Sequence, residues 1–347
     1  MSETVPEVAA PAATARQCPV CGDEADTGDN FCQSCGADLR SGGEVAAVGA
    51  PPAEAAAAQS AAPTTCLECG GVVAADGYCE RCGAKAPNPR DHWSQEIGPW
   101  LGAVTDKGRR HQRNEDAMAL TGEPKPGGRA VLVVCDGVST APDSDRAALA
   151  AATAACELLT RPAPAAELEK RMAEAATAAR DAVVATTPAR TGPNPPSCTF
   201  VAAVVDGPVL VTASIGDSRC YWLPDAGPAR QVSTDDSWLA EAVAMGMSPA
   251  DAERSPQAHA ITRWLGIDGP APDPHTARVA LDVPGWVLVC SDGLWNYCSP
   301  AGELAQLVHQ VAGQVGGKPL AVADALVTWA NEQGGHDNIT VVVARVG

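Results

Sequence analysis

The chain has 347 residues, 46% of them hydrophobic, which is enough for one large domain with a buried core and small additional modules. Acidic residues outnumber basic ones by 42 to 24 and give a formal net charge of −18. Such a surface repels a phosphate backbone, so the composition argues against nucleic-acid binding and favours neutral or basic protein partners.

The sequence carries no feature of a membrane or secreted protein. No apolar run is long enough to cross a bilayer, and Glu3 and Glu7 occupy the place where a signal peptide needs positive charge. Of the fourteen cysteines, eight form Cys-x-x-Cys pairs and six are scattered singly, a distribution typical of reduced thiols. We therefore expect a cytoplasmic protein.

The N-terminal region contains four Cys-x-x-Cys-Gly sequences, grouped as two sets of four cysteines. A tetrahedral Zn²⁺ takes four thiolates, and the glycine after each pair lets the backbone turn so that amides approach the sulfurs. Disulfides or redox-active pairs would need a secretory context or βαβ surroundings, which the sequence lacks. The sets resemble double zinc ribbon modules and predict two structural zinc ions, held by Cys18, Cys21, Cys32 and Cys35, and by Cys66, Cys69, Cys79 and Cys82.

Residues 1–90 carry five basic and twelve acidic residues and no basic or aromatic cluster, so the zinc modules are predicted to dock to a protein and not to nucleic acid. Each module is too short to bury a core, so zinc should supply most of its folding energy. The predicted order is a disordered N-terminus (1–16), zinc ribbon 1 (17–40), a flexible Ala/Pro/Gly-rich linker (41–64), zinc ribbon 2 (65–84), a second linker (85–94) and a large domain (95–347).

The large domain alternates groups of strands with pairs of helices. Apolar segments of strand length, bounded by turn residues, are Trp100–Val104, Ala130–Cys135, Cys198–Val205, Val209–Ile215, Cys220–Leu223, Trp286–Cys290 and Ile339–Val343. Helix-compatible segments are Ser144–Leu159, Ala165–Ala185, Glu303–Val311 and Pro319–Glu332. Because strands follow one another without strict βα alternation, we predict an α+β fold in which helices flank a sandwich of antiparallel sheets.

Five acidic residues lie at the ends of these apolar strands or in adjoining polar turns: Glu115, Asp116, Asp136, Asp292 and Asp337. A single Asp-Gly is usually just a turn, but here a buried strand delivers both Asp136 and Asp292 to a sheet end. Carboxylates that converge from several strands are the ligands that Mg²⁺ and Mn²⁺ prefer.

Six motifs in this order resemble those of the metal-dependent protein phosphatases, the PPM or protein phosphatase 2C family. They are RHQRNEDA (110–117), VVCDG (133–137), IGDSR (215–219), TRWLG (262–266), SDGLWN (291–296) and GHDNIT (335–340). The resemblance spans about Trp100 to Val346 and implies a four-layer αββα sandwich. It also implies a centre of two Mn²⁺ or Mg²⁺ ions.

The resemblance assigns roles to individual residues. Asp136 would bridge both metals, Gly137 would offer its carbonyl to one of them with Glu115 nearby, and Asp292 and Asp337 would complete the other. Asp116 would orient metal-bound water. A hydroxide that bridges the metals would attack phosphoserine or phosphothreonine of a protein directly.

The chain departs from the family pattern at three positions. A third metal is often held by the aspartate equivalent to Asp217 and by a second aspartate, which here is Asn296, so a third ion should bind weakly. The usual phosphate-binding arginine is replaced by His111; Arg113 is our first candidate for its role, and Arg110 is the reserve. The histidine that serves some members as a general acid is replaced by Val138.

These departures keep an alternative open. Because His111 and Asn296 replace family residues, the chain could be an inactive pseudophosphatase that acts as a scaffold or binding protein. Nucleic-acid binding through the zinc modules is a weaker idea, because the N-terminal region is acidic. The complete set of metal carboxylates favours an active bacterial protein serine/threonine phosphatase.

Overall fold

The computed structural model describes residues 65–66, 68–74, 77–86, 88–189 and 192–347, together with the backbone of two short paired strands, Ala15–Gln17 (β1) and Glu24–Asp26 (β2). The chain divides into two compact units, Met1–Ala46 and Ala47–Gly347. Strand β1 overlaps the last two residues of the segment 1–16, where we expected disorder. The four cysteines of the first zinc set and the linker 41–64 lie outside the described residues.

Two antiparallel sheets form the large domain. The first has the strand order β11 (Arg230–Gln231), β10 (Arg219–Pro224), β14 (Gly285–Cys290), β15 (Ile339–Val346), β4 (Leu101–Asp106) and β3 (His92–Ile97). The second has the order β13 (His275–Ala280), β9 (Val209–Ile215), β8 (Phe200–Asp206), β6 (Ala130–Cys135) and β5 (Ala117–Gly122). A two-stranded pair, β7 (Ser197–Cys198) with β12 (Leu265–Gly266), lies beside them.

Helices accompany these sheets. They are α1 (Ser144–Thr160), α2 (Leu168–Thr186), α3 (Trp238–Ala244), α4 (Pro249–Glu253), α5 (Asp292–Trp295), α6 (Ala301–Val315) and α7 (Pro319–Gln333). Among the described residues, no helix is both long and apolar enough to cross a membrane.

Strand β6 explains why the central strands read as continuous apolar runs. Its alternate residues Leu132 and Val134 belong to the core between the two sheets, whereas Val131, Val133 and Cys135 pack in a second core with α1 and α2. Both faces of the strand are therefore buried. Strand β15 divides its residues in the same way between the inter-sheet core and a third core with α6 and α7. The predicted four-layer sandwich is confirmed.

The seven predicted strands are all present, but the six-residue strands β3, β5 and β13 were missed, as were the two-residue strands β11 and β12. Strands β3 and β13 are the outer strands of their sheets and expose many of their polar residues, so they lack the apolar run that marks a central strand. Strand β3 begins at His92, inside the segment 85–94 that we assigned to a linker, because its backbone pairs with β4 from His92 to Ile97.

The strand register brings the acidic motifs to one edge of the sandwich. Ala117 of β5 pairs with Cys135 of β6, so the residues just before β5 and just after β6 are neighbours. Cys290 of β14 likewise pairs with Val341 of β15, so the residues just after β14 and just before β15 are neighbours too. The antiparallel topology thus gathers segments that are more than 200 residues apart in sequence.

Candidate functional site

Three of the predicted metal carboxylates are close enough to influence one another strongly. The pKa of Asp136 lies well above its ordinary value, chiefly because of burial and then because of the charges of Asp116, Asp292 and Asp337. Burial, followed by the charge of Asp337, raises the pKa of Asp292 to about 6. A hydrogen bond with the side chain of Asp136 acts in the opposite direction. The charges of Asp136, Asp292 and Asp337 therefore act on one another, with Asp116 nearby.

Asp116 is held in place by hydroxyl groups from the other sheet. Its Oδ2 accepts hydrogen bonds of 2.7 Å from Ser291 Oγ and 2.7 Å from Thr340 Oγ1, and the side chain is buried. Burial outweighs these two donors and raises its pKa to about 7. The carboxylate is thus fixed in orientation with one oxygen engaged.

The acidic cluster fits divalent cations. Oδ1 of Asp116 and Oδ1 of Asp292 are buried and have no hydrogen-bond partner among the described residues. A buried carboxylate oxygen without a partner is costly, and a hard cation such as Mn²⁺ or Mg²⁺, or a water bound to such a cation, would satisfy it. The donor set at this edge is therefore suited to the metals that the sequence predicts.

Gly137 lies where no other residue fits. A Cβ atom there would lie 2.7 Å from the carbonyl oxygen of Glu115 and 2.8 Å from that of Ser144. The backbone N–H of Gly137 donates to the same Glu115 carbonyl at 3.2 Å, which ties the turn after β6 to the segment before β5. Glycine thus permits the close approach of the two acidic motifs.

Asn338, which sequence reasoning overlooked, links the loops around the site. Its Oδ1 accepts from the backbone N–H of Glu115 at 2.7 Å, and its Nδ2 donates to the carbonyl oxygens of Lys107 at 2.8 Å and Arg113 at 3.1 Å. Its position directly after Asp337 was the available clue.

His111 and Arg113 both contact Glu115. His111 Nδ1 lies 3.2 Å from Glu115 Oε2, while its Nε2 lies 3.2 Å from Asp337 Oδ1. Arg113 Nε donates to Glu115 Oε1 at 3.0 Å, and its Nη2 donates to the carbonyl oxygen of Ala141 at 3.2 Å. The side chain of Arg113 remains 40% exposed and Arg110 is exposed as well, so both arginines stay accessible to a ligand.

The arginine of the Gly-Asp-Ser-Arg motif pairs with a carboxylate outside the motif. Arg219 does not pair with Asp217: it makes a bidentate bond to Asp235, with a shortest distance of 2.6 Å, and its guanidinium stacks 3.6 Å above the ring of Trp295. Nothing in the local sequence around Asp235 pointed to this role. Trp295 in turn donates its indole N–H to the carbonyl oxygen of Asp217 at 2.9 Å.

Asp217 itself is buried near the carboxylates. Burial, followed by the charge of Asp292, raises its pKa well above the ordinary value. Asn296, which stands where many family members have an aspartate, donates from Nδ2 to Asp292 Oδ2 at 3.0 Å. The amide therefore supports a predicted metal ligand by hydrogen bonding.

The second cysteine set forms a compact site. Cys66, Cys69, Cys79 and Cys82 place their sulfurs within 4.8 Å of one another. Gly70 and Gly83, which follow the two pairs, adopt the left-handed conformation, with φ of +69° and +72°. This agrees with the turn that the Cys-x-x-Cys-Gly pattern predicts.

Backbone amides surround these sulfurs. The N–H of Cys82, against the opposing effect of burial, lowers the pKa of the Cys79 thiol to about 7, and the N–H of Arg81 adds to the effect. An added Cβ at Gly71 would lie 3.0 Å from the sulfur of Cys79 and 3.3 Å from that of Cys69. Four converging thiols with amide donors are typical of a structural zinc site.

Comparison with known proteins finds relatives for both parts of the chain. The sequence matches the family described as protein phosphatase 2C over residues 105–329 and the family described as double zinc ribbon over residues 18–86. A serine/threonine phosphatase stp of Listeria monocytogenes is 30% identical over 250 residues, which cover 70% of this chain and 93% of that protein.

Solved structures give the same relationship. The crystal structure of the Mycobacterium tuberculosis serine/threonine phosphatase PstP/Ppp is 27% identical, with a TM-score of 0.58 over 71% of this chain and 97% of that chain. The catalytic domain of serine/threonine protein phosphatase PstP, solved in complex with two manganese ions, is 26% identical. Its TM-score is 0.57 over 71% of this chain and 98% of that chain.

Replacing Cys79 with serine should reduce the zinc content of the full-length chain from two ions to one, because serine leaves three thiolates at the second site. Elemental analysis of protein purified under reducing conditions measures the change. Cys298→Ser is the control, since Cys298 is a lone buried cysteine outside both sets, and it should keep two zinc ions. An unchanged zinc content in Cys79→Ser would contradict the assignment.

Proposed function

Because the chain belongs to the protein phosphatase 2C family, we propose that it hydrolyses phosphoserine and phosphothreonine on proteins. The observation that carries the proposal is the acidic cluster at the sandwich edge, where Asp116 and Asp292 each have a buried carboxylate oxygen without a partner. The relatives named as serine/threonine phosphatases, and the PstP structure with two manganese ions, support the same activity.

Two Mn²⁺ or Mg²⁺ ions are the proposed cofactors. Asp136 would bind both ions. Glu115 and the backbone carbonyl of Gly137 would bind one ion, and Asp292 and Asp337 would bind the other. When bound, the ions would supply an activated water as the nucleophile and would neutralise charge on the phosphoryl oxygens. A third ion at Asp217 would be held weakly, because Asn296 offers a neutral amide and already donates to Asp292.

Asp116 is proposed to orient the attacking water. Ser291 and Thr340 hold its Oδ2, which fixes the plane of the carboxylate and leaves Oδ1 to accept a hydrogen bond from water. A pre-oriented acceptor limits the positions that the nucleophile can adopt before it attacks.

Arg113 is proposed to bind the phosphate of the substrate. Its Nε donates a hydrogen bond to Glu115, and 40% of the side chain is exposed. The guanidinium therefore lies beside the acidic cluster and can still reach solvent. A planar guanidinium can bind two phosphate oxygens at once. The full set of metal carboxylates favours this active enzyme over the pseudophosphatase.

The zinc ribbons are proposed to dock the enzyme to a protein. On the second ribbon, Val72 is 63% exposed and Tyr78 is 48% exposed, so this small module presents apolar and aromatic surface.

The proposed setting is the bacterial cytoplasm, where the enzyme would oppose serine/threonine kinases. The free cysteines of the described residues agree with a reducing compartment.

Asp136→Ala and Asp292→Ala should each remove nearly all activity on a phosphothreonine peptide in the presence of Mn²⁺, because each change takes away a metal carboxylate. Release of inorganic phosphate is the measurement. Asp181→Ala, at an exposed position on α2, is the matched control and should keep activity within about twofold. Turnover that survives in Asp136→Ala would refute the two-metal mechanism.

Arg113→Ala should lower kcat/KM for the phosphopeptide by ten- to a hundredfold, about 1.4–2.7 kcal/mol, mainly through a higher KM. The reason is the loss of a cation that meets the phosphate dianion. Arg110→Ala, which changes the exposed neighbour, is the matched comparison and should have a smaller effect. If Arg113→Ala instead needs a higher Mn²⁺ concentration for half-maximal activity, while its KM for the phosphopeptide stays constant, the arginine only positions Glu115.

The zinc-deficient Cys79→Ser chain should hydrolyse a small aryl phosphate at the wild-type rate and should lose efficiency only on intact phosphoprotein substrates. This follows if the ribbons contribute docking and no catalytic group. Steady-state kinetics on both substrate types make the comparison. An equal loss on the aryl phosphate would show that the ribbon supports the catalytic domain directly.

A further inference from the structure

A recess opens to solvent beside the predicted metal centre. Its volume is about 150 Å³, and most of its wall is apolar, formed by Val138, Ala141, Pro195, Ile261 and Trp264. A cavity of this volume holds a molecule about as large as benzene. The recess therefore has room for one aliphatic side chain of a bound protein.

One wall of the recess continues the backbone that carries Asp136. The N–H of Thr199 donates to the carbonyl oxygen of Asp136 at 2.8 Å. Two residues further on, the N–H of Val138 donates to the carbonyl oxygen of Ser197 at 3.0 Å. Val138 directly follows Gly137, whose carbonyl is a proposed metal ligand. A substrate whose phosphate lies at the metals thus has this wall next to it.

A second wall holds the indole of Trp264 in a fixed position. Its N–H donates to Asp268 Oδ1 at 3.0 Å. A Cβ atom added at Gly266 or Gly269 would lie 3.2 or 3.4 Å from Cδ1 of the ring, so the turn that follows is packed against it. Strand β12, which starts at the next residue, pairs with β7 and so joins this wall to the first. The recess is therefore formed before a ligand binds.

We propose that the recess is a specificity subsite that binds the aliphatic side chain of a substrate residue within two positions of the phosphoserine or phosphothreonine. The inference rests on the proposed function, because it takes the metal centre as the place where the phosphate binds. An extended peptide advances about 3.3 Å per residue, so a wall that begins one residue from Gly137 is within reach of the nearest neighbours of the phosphorylated residue.

The chemistry of the wall selects an apolar side chain. Val138 stands where some family members have a histidine, so the wall nearest the metals is apolar in this chain. An aliphatic side chain gains free energy when this surface removes it from water. A charged side chain would lose hydration there, and an acidic one would also meet the carboxylate of Asp268, which lines the recess.

The test uses the full-length protein with Mn²⁺ and phosphothreonine peptides in which leucine replaces alanine at each flanking position in turn, up to three residues away on either side. Leucine at one position within two residues of the phosphothreonine should raise kcat/KM at least about tenfold, and glutamate there should not. Release of inorganic phosphate is the measurement. Hydrolysis of all these peptides with equal kcat/KM would overturn the inference alone, whereas hydrolysis of none would refute the proposed function.

Variants of the wall locate the preference. Ile261→Asn and Trp264→Ala each remove apolar surface and should reduce the leucine preference to about threefold or less. The preference is a ratio of two rates measured on one preparation, so a change in the folded fraction cancels. Ile267→Asn is the matched control, because Ile267 lies in the same segment, is 53% exposed and does not line the recess; the full preference should remain.

Two further outcomes would contradict the subsite. A leucine preference that stays at the wild-type level in both recess variants would mean that another surface supplies it. A preference for phosphothreonine over phosphoserine that Ile261→Asn abolishes, without any preference at flanking positions, would mean that the recess takes the methyl group of the phosphorylated residue itself.

Discussion

Carboxylates repel one another, and burial strengthens the repulsion because water no longer screens the charges. At the edge of this sandwich, burial and mutual proximity raise the pKa values of Asp116, Asp136 and Asp292 together. Such a cluster is stable when divalent cations balance it, and the unpartnered oxygens of Asp116 and Asp292 mark where that balance is needed. The rest of the edge can be understood as the framework that holds these side chains in place.

That framework consists of hydrogen bonds and close backbone contacts. Thr340 donates to Asp116 and lies 2.7 Å from the hydroxyl of Thr105, so β15 and β4 both support the carboxylate of the opposite sheet. Gly293 and Gly108 allow the same crowding as Gly137: a Cβ at either would come within 2.1 Å of a carbonyl oxygen at positions 337–338. The turns around the site are therefore closely packed.

Two of the departures from the family pattern, Asn296 and His111, affect how charge is distributed around this cluster. Asn296 replaces a carboxylate by an amide that donates to Asp292, which lowers the local negative charge. His111 replaces a cation that would face the phosphate by a ring that spans Glu115 and Asp337. Arg219 pairs with Asp235 beside Asp217, and its positive charge opposes the repulsion between these two carboxylates.

The sequence alone determined the antiparallel sandwich, the seven central strands, the acidic motifs and the cysteine sets, because buried strands need apolar runs and metal sites need fixed spacings of ligands. It did not reveal β3 and β13. These edge strands lack an apolar pattern and form through backbone pairing with β4 and β9. Only the tertiary structure paired Arg219 with Asp235 and made Asn338 a link between loops. It also placed His111 between Glu115 and Asp337, because these contacts join segments far apart in sequence and depend on the register of strands that local patterns do not specify.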